Sequence, residues 1–77
     1  MEKRIFEIMS RVFAVRPEQL SSKTAKSNLP NWDSLQHLIL MSDIEQEFGV
    51  NFTPEEIQEI DSFEGIIKKL QSSSSEK

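Results

Sequence analysis

The sequence contains no cysteine, a single histidine, a single tryptophan and only two glycines. Without cysteine, a disulfide scaffold and a Cys-ligated zinc centre are both excluded, and these are the usual supports of very small domains. One histidine also leaves too few ligands of the usual type for zinc. No apolar run approaches the roughly 18–20 residues of a membrane span. Runs such as Leu38-Ile39-Leu40-Met41 reach only four residues, so no membrane insertion is expected. The stretch Met1–Ile8 is basic and then apolar, but Glu7, Ser10 and Arg11 interrupt any signal-peptide core. A cytoplasmic location is the resulting expectation. What is present is 77 residues with 36% apolar side chains. That makes one small domain, in which a single core gives only about 3–5 kcal/mol. So short a chain has few residues to wall off a deep active site, and a role other than enzyme is expected.

Positive charge is missing from one long stretch. Residues 1–30 carry six basic and three acidic groups, whereas residues 31–64 carry nine acidic groups and no Lys or Arg. Lys68, Lys69 and Lys77 stand against Glu76 at the end, and the net charge is −4. Nucleic acid is a poor partner for such a surface, because phosphate contacts need Lys and Arg. A partner with a basic patch suits it, although a solvated acidic face that keeps the protein soluble is the simpler reading of charge alone.

The pattern predicts an all-α fold: a small four-helix bundle of three longer helices and a short third, with a long loop between the first two. Residues 2–14 form an amphipathic helix through Ile5, Ile8, Met9, Val12 and Phe13, widened by Phe6. Pro17 places a boundary near Arg16. Residues 21–32 read as a polar loop pinned by Leu29 and Trp32. Asp33 is the N-cap of a second helix running from Ser34 to about Phe48, with Gln36 at capping-box spacing. Leu35, Leu38, Ile39, Met41 (or Ser42), Ile44 and Phe48 are its expected inward side, and Gly49 takes the left-handed position that ends it. Thr53, Pro54 and Glu56 start a short third helix that ends near Ile60. Asp61 or Ser62 caps a fourth, which turns Phe63, Ile66, Ile67 and Leu70 inward. Residues 1–70 are thus the domain, and 71–77 are expected to be a disordered polar tail.

Three groups invite a chemical reading. Ser34 begins the second helix, where free backbone N–H groups favour an anion such as a phosphate ester. On physical grounds alone, a good helix start with a tolerated serine is the simpler account. His37 lies one turn on, but no Gly-rich elbow or oxyanion hole supports an Asp33-Ser34-His37 triad, and an exposed helical histidine is expected. Asp43, Glu45 and Glu47 before Gly49 loosely echo a calcium loop. The glycine is out of register and Pro54 stands where the loop's glutamate belongs, so no metal site is expected.

At Trp32-Asp33-Ser34-Leu35 the chain resembles an acyl carrier protein. The Asp33-Ser34-Leu35 tripeptide is similar to the family's modification motif. It opens a long second helix after a long loop. Asp43-Ile44-Glu45-Gln46-Glu47-Phe48-Gly49-Val50, Phe52-Thr53-Pro54-Glu55-Glu56 and Ile60-Asp61-Ser62-Phe63 extend the likeness over about residues 2–70. The resemblance implies that Ser34 is esterified by 4′-phosphopantetheine, transferred from coenzyme A by a separate phosphopantetheinyl transferase. It implies a phosphoprotein that carries an acyl group as a thioester and presents it to acyl-loading and acyl-using enzymes with basic patches. Asp33 would fix the helix start and Leu35 would anchor the turn inward. It further implies docking through Asp43, Glu45, Glu47, Glu55, Glu56 and Glu59. Ile44, Phe48, Phe52, Ile57, Ile60, Phe63 and Ile66 match the family's cargo pocket, although several are bulky, which argues against a deep cavity for a long chain.

The Trp-Asp-Ser-Leu form, with Gln36, His37 and Ile39 in place of acidic residues, is more similar to specialised carriers than to that of primary fatty acid synthesis. Polyketide, nonribosomal peptide, modified-lipid and surface-glycan pathways use such carriers. A monomer is expected. The alternatives are the carrier of primary fatty acid synthesis and a carrier-like interaction module that is never modified.

Overall fold

The computed structural model describes residues 2–74. Four α-helices follow in order: α1 (Glu2–Phe13), α2 (Ser34–Phe48), α3 (Pro54–Glu59) and α4 (Phe63–Ser74). Short 3-10 turns at Pro17–Gln19 and Lys26–Asn28 interrupt the loop between α1 and α2. This is the small all-α bundle that the apolar periodicity predicts, with its short third helix and long first loop.

Ile5, Ile8, Met9 and Phe13 form the buried stripe of α1. The helix ends one residue earlier than expected. Ala14 turns left-handed at φ 56°, and Val15 N–H donates to the Ser10 carbonyl at 3.2 Å. That 6→1 bond is a Schellman ending, usually built on glycine. Phe6 stacks on Phe63 of α4, with ring centroids 4.3 Å apart and planes within 6°.

The long loop is tied at both ends. Asn31 Nδ2 donates to the Phe13 carbonyl at 2.7 Å, satisfying one of the unpaired carbonyls at the end of α1. Trp32 is buried against Phe13 at 5.2 Å. Midway along, the loop is stapled to the α3–α4 link. Phe63 N–H donates to the Thr24 carbonyl at 2.9 Å, and Lys26 N–H to the Asp61 carbonyl at 2.8 Å. An isolated antiparallel bridge pairs Ala25 with Ser62 between them.

The helix ends follow the sequence closely. Asp33 Oδ1 accepts from Gln36 N–H at 2.9 Å at the start of α2. Gly49 takes φ 66° at its end. Thr53 and Glu56 form the reciprocal capping box of α3, at 2.9 and 3.1 Å. Ser62 rather than Asp61 begins α4, its hydroxyl accepting from Gly65 N–H at 3.0 Å.

Two expectations need correction. The inward face of α2 is His37, Leu40, Met41 and Ile44, with Phe48 partly buried. Leu35, Leu38 and Ile39 point outward and are 64%, 57% and 41% exposed. Apolar residues lie on both sides of this helix, so hydropathy alone did not fix its rotation. The second correction concerns the polar tail set from Gln71, because α4 instead continues to Ser74. Serine lowers helix stability by only about half a kcal/mol per residue relative to alanine, and Leu70 anchors the preceding turn. Residues 75–77 of the expected tail lie outside the described residues.

Candidate functional site

Ser34 is exposed and is the first residue of a 15-residue helix. Asp33 before it is extended (φ −101°, ψ −176°). Its carboxylate takes the Gln36 N–H and its carbonyl takes the His37 N–H at 2.8 Å. The N–H groups of Ser34 and Leu35 are left without intrahelical acceptors, at the positive end of the α2 dipole. An anion at Ser34 Oγ would gain from that field and be opposed by the charge of Asp33; Lys26 lines the same cleft as Ser34. Leu35 follows with its side chain in solvent, so it does not anchor the turn inward as expected. The inward anchor of this turn is His37.

The single histidine is 6% exposed, against the expectation of an exposed helical residue. Its Nδ1 accepts from the Trp32 indole N–H at 2.9 Å, and its Nε2 lies 2.7 Å from the Ile57 carbonyl oxygen. An indole nitrogen only donates and a carbonyl only accepts, so the ring is the neutral tautomer with its proton on Nε2. Ile57 O belongs to the last turn of α3, where carbonyls lack helical partners. The side chain of His37 therefore caps α3 from α2. These two hydrogen bonds make burial of a polar ring tolerable, a pairing that hydropathy does not register.

A cleft of about 290 Å³ opens beside Ser34. Ser34, His37 and Leu38 of α2 form one wall, Ile57 and Gln58 of α3 the other, and Ile60, Asp61 and Lys26 close the end. Lys26 and Asp61 were not singled out by sequence reasoning. Backbone bonds of the loop staple bring them there, and backbone bonds leave no side-chain signature.

The expected docking acids are largely engaged within the protein. Arg4 grips Glu47 through Nε at 2.6 Å and Nη2 at 3.0 Å. Arg11 lies 3.6 Å from Asp43, and Glu45 accepts from Phe52 N–H at 2.7 Å. Lys69 lies 3.8 Å from Glu56 and 3.5 Å from Glu59. Glu55 forms no ion pair among the described residues. The Arg4 hydrogen bond holds the Glu47 carboxyl below its ordinary range, helped by the charges of Arg4 and Arg11 and opposed by partial desolvation. Among the described residues, no three His, Cys, Asp or Glu side chains gather as a metal site.

Of the residues matched to a cargo pocket, Ile57 and Ile60 line the cleft beside Ser34. Ile44 and Ile66 are fully buried, and Phe52 and Phe63 are core residues. Phe48 packs against the core while partly exposed.

An exposed serine thus heads the longest of the described helices of a small helical bundle. Residues 3–70 match the family model described as the phosphopantetheine attachment site. The chain belongs to that family, and its prosthetic group is 4′-phosphopantetheine. It is a phosphopantetheine-carrying carrier protein. No helix among the described residues is long and apolar enough to cross a membrane.

Proposed function

We propose that Ser34 is the attachment residue, and that the protein presents an acyl intermediate to separate enzymes of a dedicated biosynthetic pathway. The observation that carries this is the position of Ser34: exposed, held rigidly by the Asp33 cap, and at the anion-favouring end of α2. The prosthetic arm supplies a thiol that holds the acyl group as a thioester. The protein's own residues fix the root of the arm. Asp33 sets the helix start, the unpaired Ser34 and Leu35 N–H groups would favour the phosphodiester's charge, and Lys26 in the same cleft would add a positive charge.

Partner enzymes reach Ser34 over the outward side of α2. Its exposed residues there, Leu35, Leu38, Ile39, Ser42 and Gln46, are uncharged. Glu55 of α3 shares a groove with Leu38 on this side, Glu56 and Glu59 lie beside Lys69 of α4, and Asp43, Glu45 and Glu47 lie further along α2. Their combined negative field still draws a basic patch, since ion pairing at exposed sites is partial and screened.

The experiment is intact mass after incubation with coenzyme A and a broad-specificity phosphopantetheinyl transferase, with Ser34→Ala in parallel. A gain of one phosphopantetheine in the parent alone supports the assignment. A gain in the variant moves the site elsewhere. No gain in a folded parent, with its native transferase also tested, favours an unmodified interaction module.

A further inference from the structure

The Ser34 hydroxyl makes no hydrogen bond to any described residue. Its position is therefore set by the backbone, and the backbone here is held from both sides by buried groups. Two residues before it, Trp32 is buried against Phe13 of α1, with ring centroids 5.2 Å apart. Asn31 adds a bond of 2.7 Å to the Phe13 carbonyl. Three residues after Ser34, the buried His37 donates from Nε2 to the Ile57 carbonyl of α3 at 2.7 Å. The indole N–H of Trp32 donates to His37 Nδ1 at 2.9 Å and joins the two anchors. Asp33, Ser34 and Leu35 stand exposed between them.

The Asp33 cap and this chain of side-chain bonds do different things. The cap takes the Gln36 and His37 N–H groups at 2.9 and 2.8 Å, which fixes the local shape of the first turn of α2. It does not fix where that turn sits against α1 and α3. The Trp32–His37–Ile57 chain does, because it ties the turn to both. A nucleophilic hydroxyl needs that second kind of fixing. In transfer from coenzyme A, a bond forms between Ser34 Oγ and the phosphorus that carries the pantetheine. The pyrophosphate P–O bond breaks, adenosine 3′,5′-bisphosphate leaves, and the hydroxyl proton passes to a base of the transferase. Misplacing a reacting group by about 1 Å can slow such a step by about 100-fold.

We infer that His37 is a positioning residue for phosphopantetheine transfer: through its bonds to Trp32 and Ile57 it holds Ser34 Oγ where a transferase can use it as the nucleophile. This rests on the reading that Ser34 carries the arm. Both ring nitrogens of His37 are engaged, so it acts through geometry and takes no proton from Ser34.

The test is single-turnover modification of the full chain by a broad-specificity phosphopantetheinyl transferase, followed by intact mass. Transferase and coenzyme A are in excess, so product release does not mask the transfer step. The readouts are the maximal rate and the transferase concentration that gives half of it. Melting curves confirm that each variant is folded at the assay temperature. His37→Leu should lower the maximal rate about tenfold and move the half-saturating concentration by less than about twofold, because the outward residues of α2 are untouched. Trp32→Phe removes only the donor and should lower the maximal rate in the same way. His37→Gln, which can accept from the indole and donate to the carbonyl, should recover most of it. Leu40→Ala is the control for lost stability: Leu40 is buried in the same helix but outside the chain of bonds, and the folded variant should keep the parent rate. A folded His37→Leu or Trp32→Phe that reacts at the parent rate overturns the inference. So does a loss confined to half-saturation, a loss that His37→Gln does not recover, or an equal loss in Leu40→Ala. If His37→Leu does not fold, Trp32→Phe against Leu40→Ala decides. A folded parent that gains no mass, or a Ser34→Ala chain that gains it, overturns the Ser34 reading itself, and so is distinguishable from failure of the positioning role.

Discussion

Trp32 and His37, five residues apart, share a buried hydrogen bond of 2.9 Å from the indole Nε1–H to Nδ1. That bond assigns the imidazole proton to Nε2 and aims it at the Ile57 carbonyl 2.7 Å away. Neither ring could be buried at low cost alone. Leaving a buried donor or acceptor unpaired costs about 1–3 kcal/mol. The two variants Trp32→Phe and His37→Leu should each lose stability, and the double variant should lose less than their sum. A double-mutant cycle by urea unfolding should give a coupling of about 1 kcal/mol. Strict additivity would contradict the bond.

The rotation of α2 makes a sharp contrast between two neighbouring leucines. Leu40 is fully buried and Leu38 is more than half exposed. Leu40→Ala should cost about 2–5 kcal/mol. Leu38→Ala should cost under about 0.5 kcal/mol, because it removes nothing from the core. Leu38→Asp should leave stability nearly unchanged while slowing transfer to and from cognate enzymes. Equal losses of stability for both alanine variants would contradict the orientation of the helix.

Ala14 occupies a left-handed conformation that costs an L-residue about 1–2 kcal/mol. Glycine adopts it freely but is more disordered when unfolded. Ala14→Gly should therefore raise stability by about 0.5–1 kcal/mol, or roughly 2–8 °C in Tm for a domain of this size. Calorimetry checks the sign directly, and a lower Tm would contradict the Schellman ending of α1.

Acid should weaken the α1–α2 contact. The Glu47 carboxyl is held low by its hydrogen bonds from Arg4. A lowered folded pKa contributes stability that is fully present above the ordinary glutamate value of about 4.3. It is lost as pH falls through the lowered folded value. Glu47→Gln should flatten the stability profile in that acid window and leave its shape near neutrality unchanged. Both partners are exposed, so high salt should shrink the difference. An identical acid profile in parent and variant would contradict the bidentate pair.

Local chemistry was legible in the sequence where it acts over three or four residues. The Asp33 cap, the Thr53-Pro54-Glu56 start and the Gly49 stop each declare themselves through side chains that bond to the nearby backbone. The placement of Ser34 at the exposed head of α2 was legible for the same reason. The facing of α2 was not, because Leu35, Leu38 and Ile39 are as apolar as Leu40, Met41 and Ile44. Only partners distant in sequence choose between the two sides. Arg4 and Arg11 draw Glu47 and Asp43 to one flank, and Ile57 draws His37 inward. The stapling of Thr24 and Lys26 to the α3–α4 link was invisible, since backbone groups bond there regardless of side chain. The Ser-rich end of α4 misled in the other direction. Its polarity hides a helix that continues to Ser74, since serine is only a mildly poor helix former.

Six residues are too few to hold a helix in water, where isolated helices below about 12–15 residues are marginal. α3 is such a helix, and it is closed at one end by its own Thr53–Glu56 box and at the other by His37. Its persistence is thus not its own property but a loan from α2. Any opening that frees the histidine ring releases the last turn of α3 at the same moment. In hydrogen–deuterium exchange, the protected amide of Ile60, which bonds to the Glu56 carbonyl, should open together with the Trp32 indole rather than with the fraying end of α4.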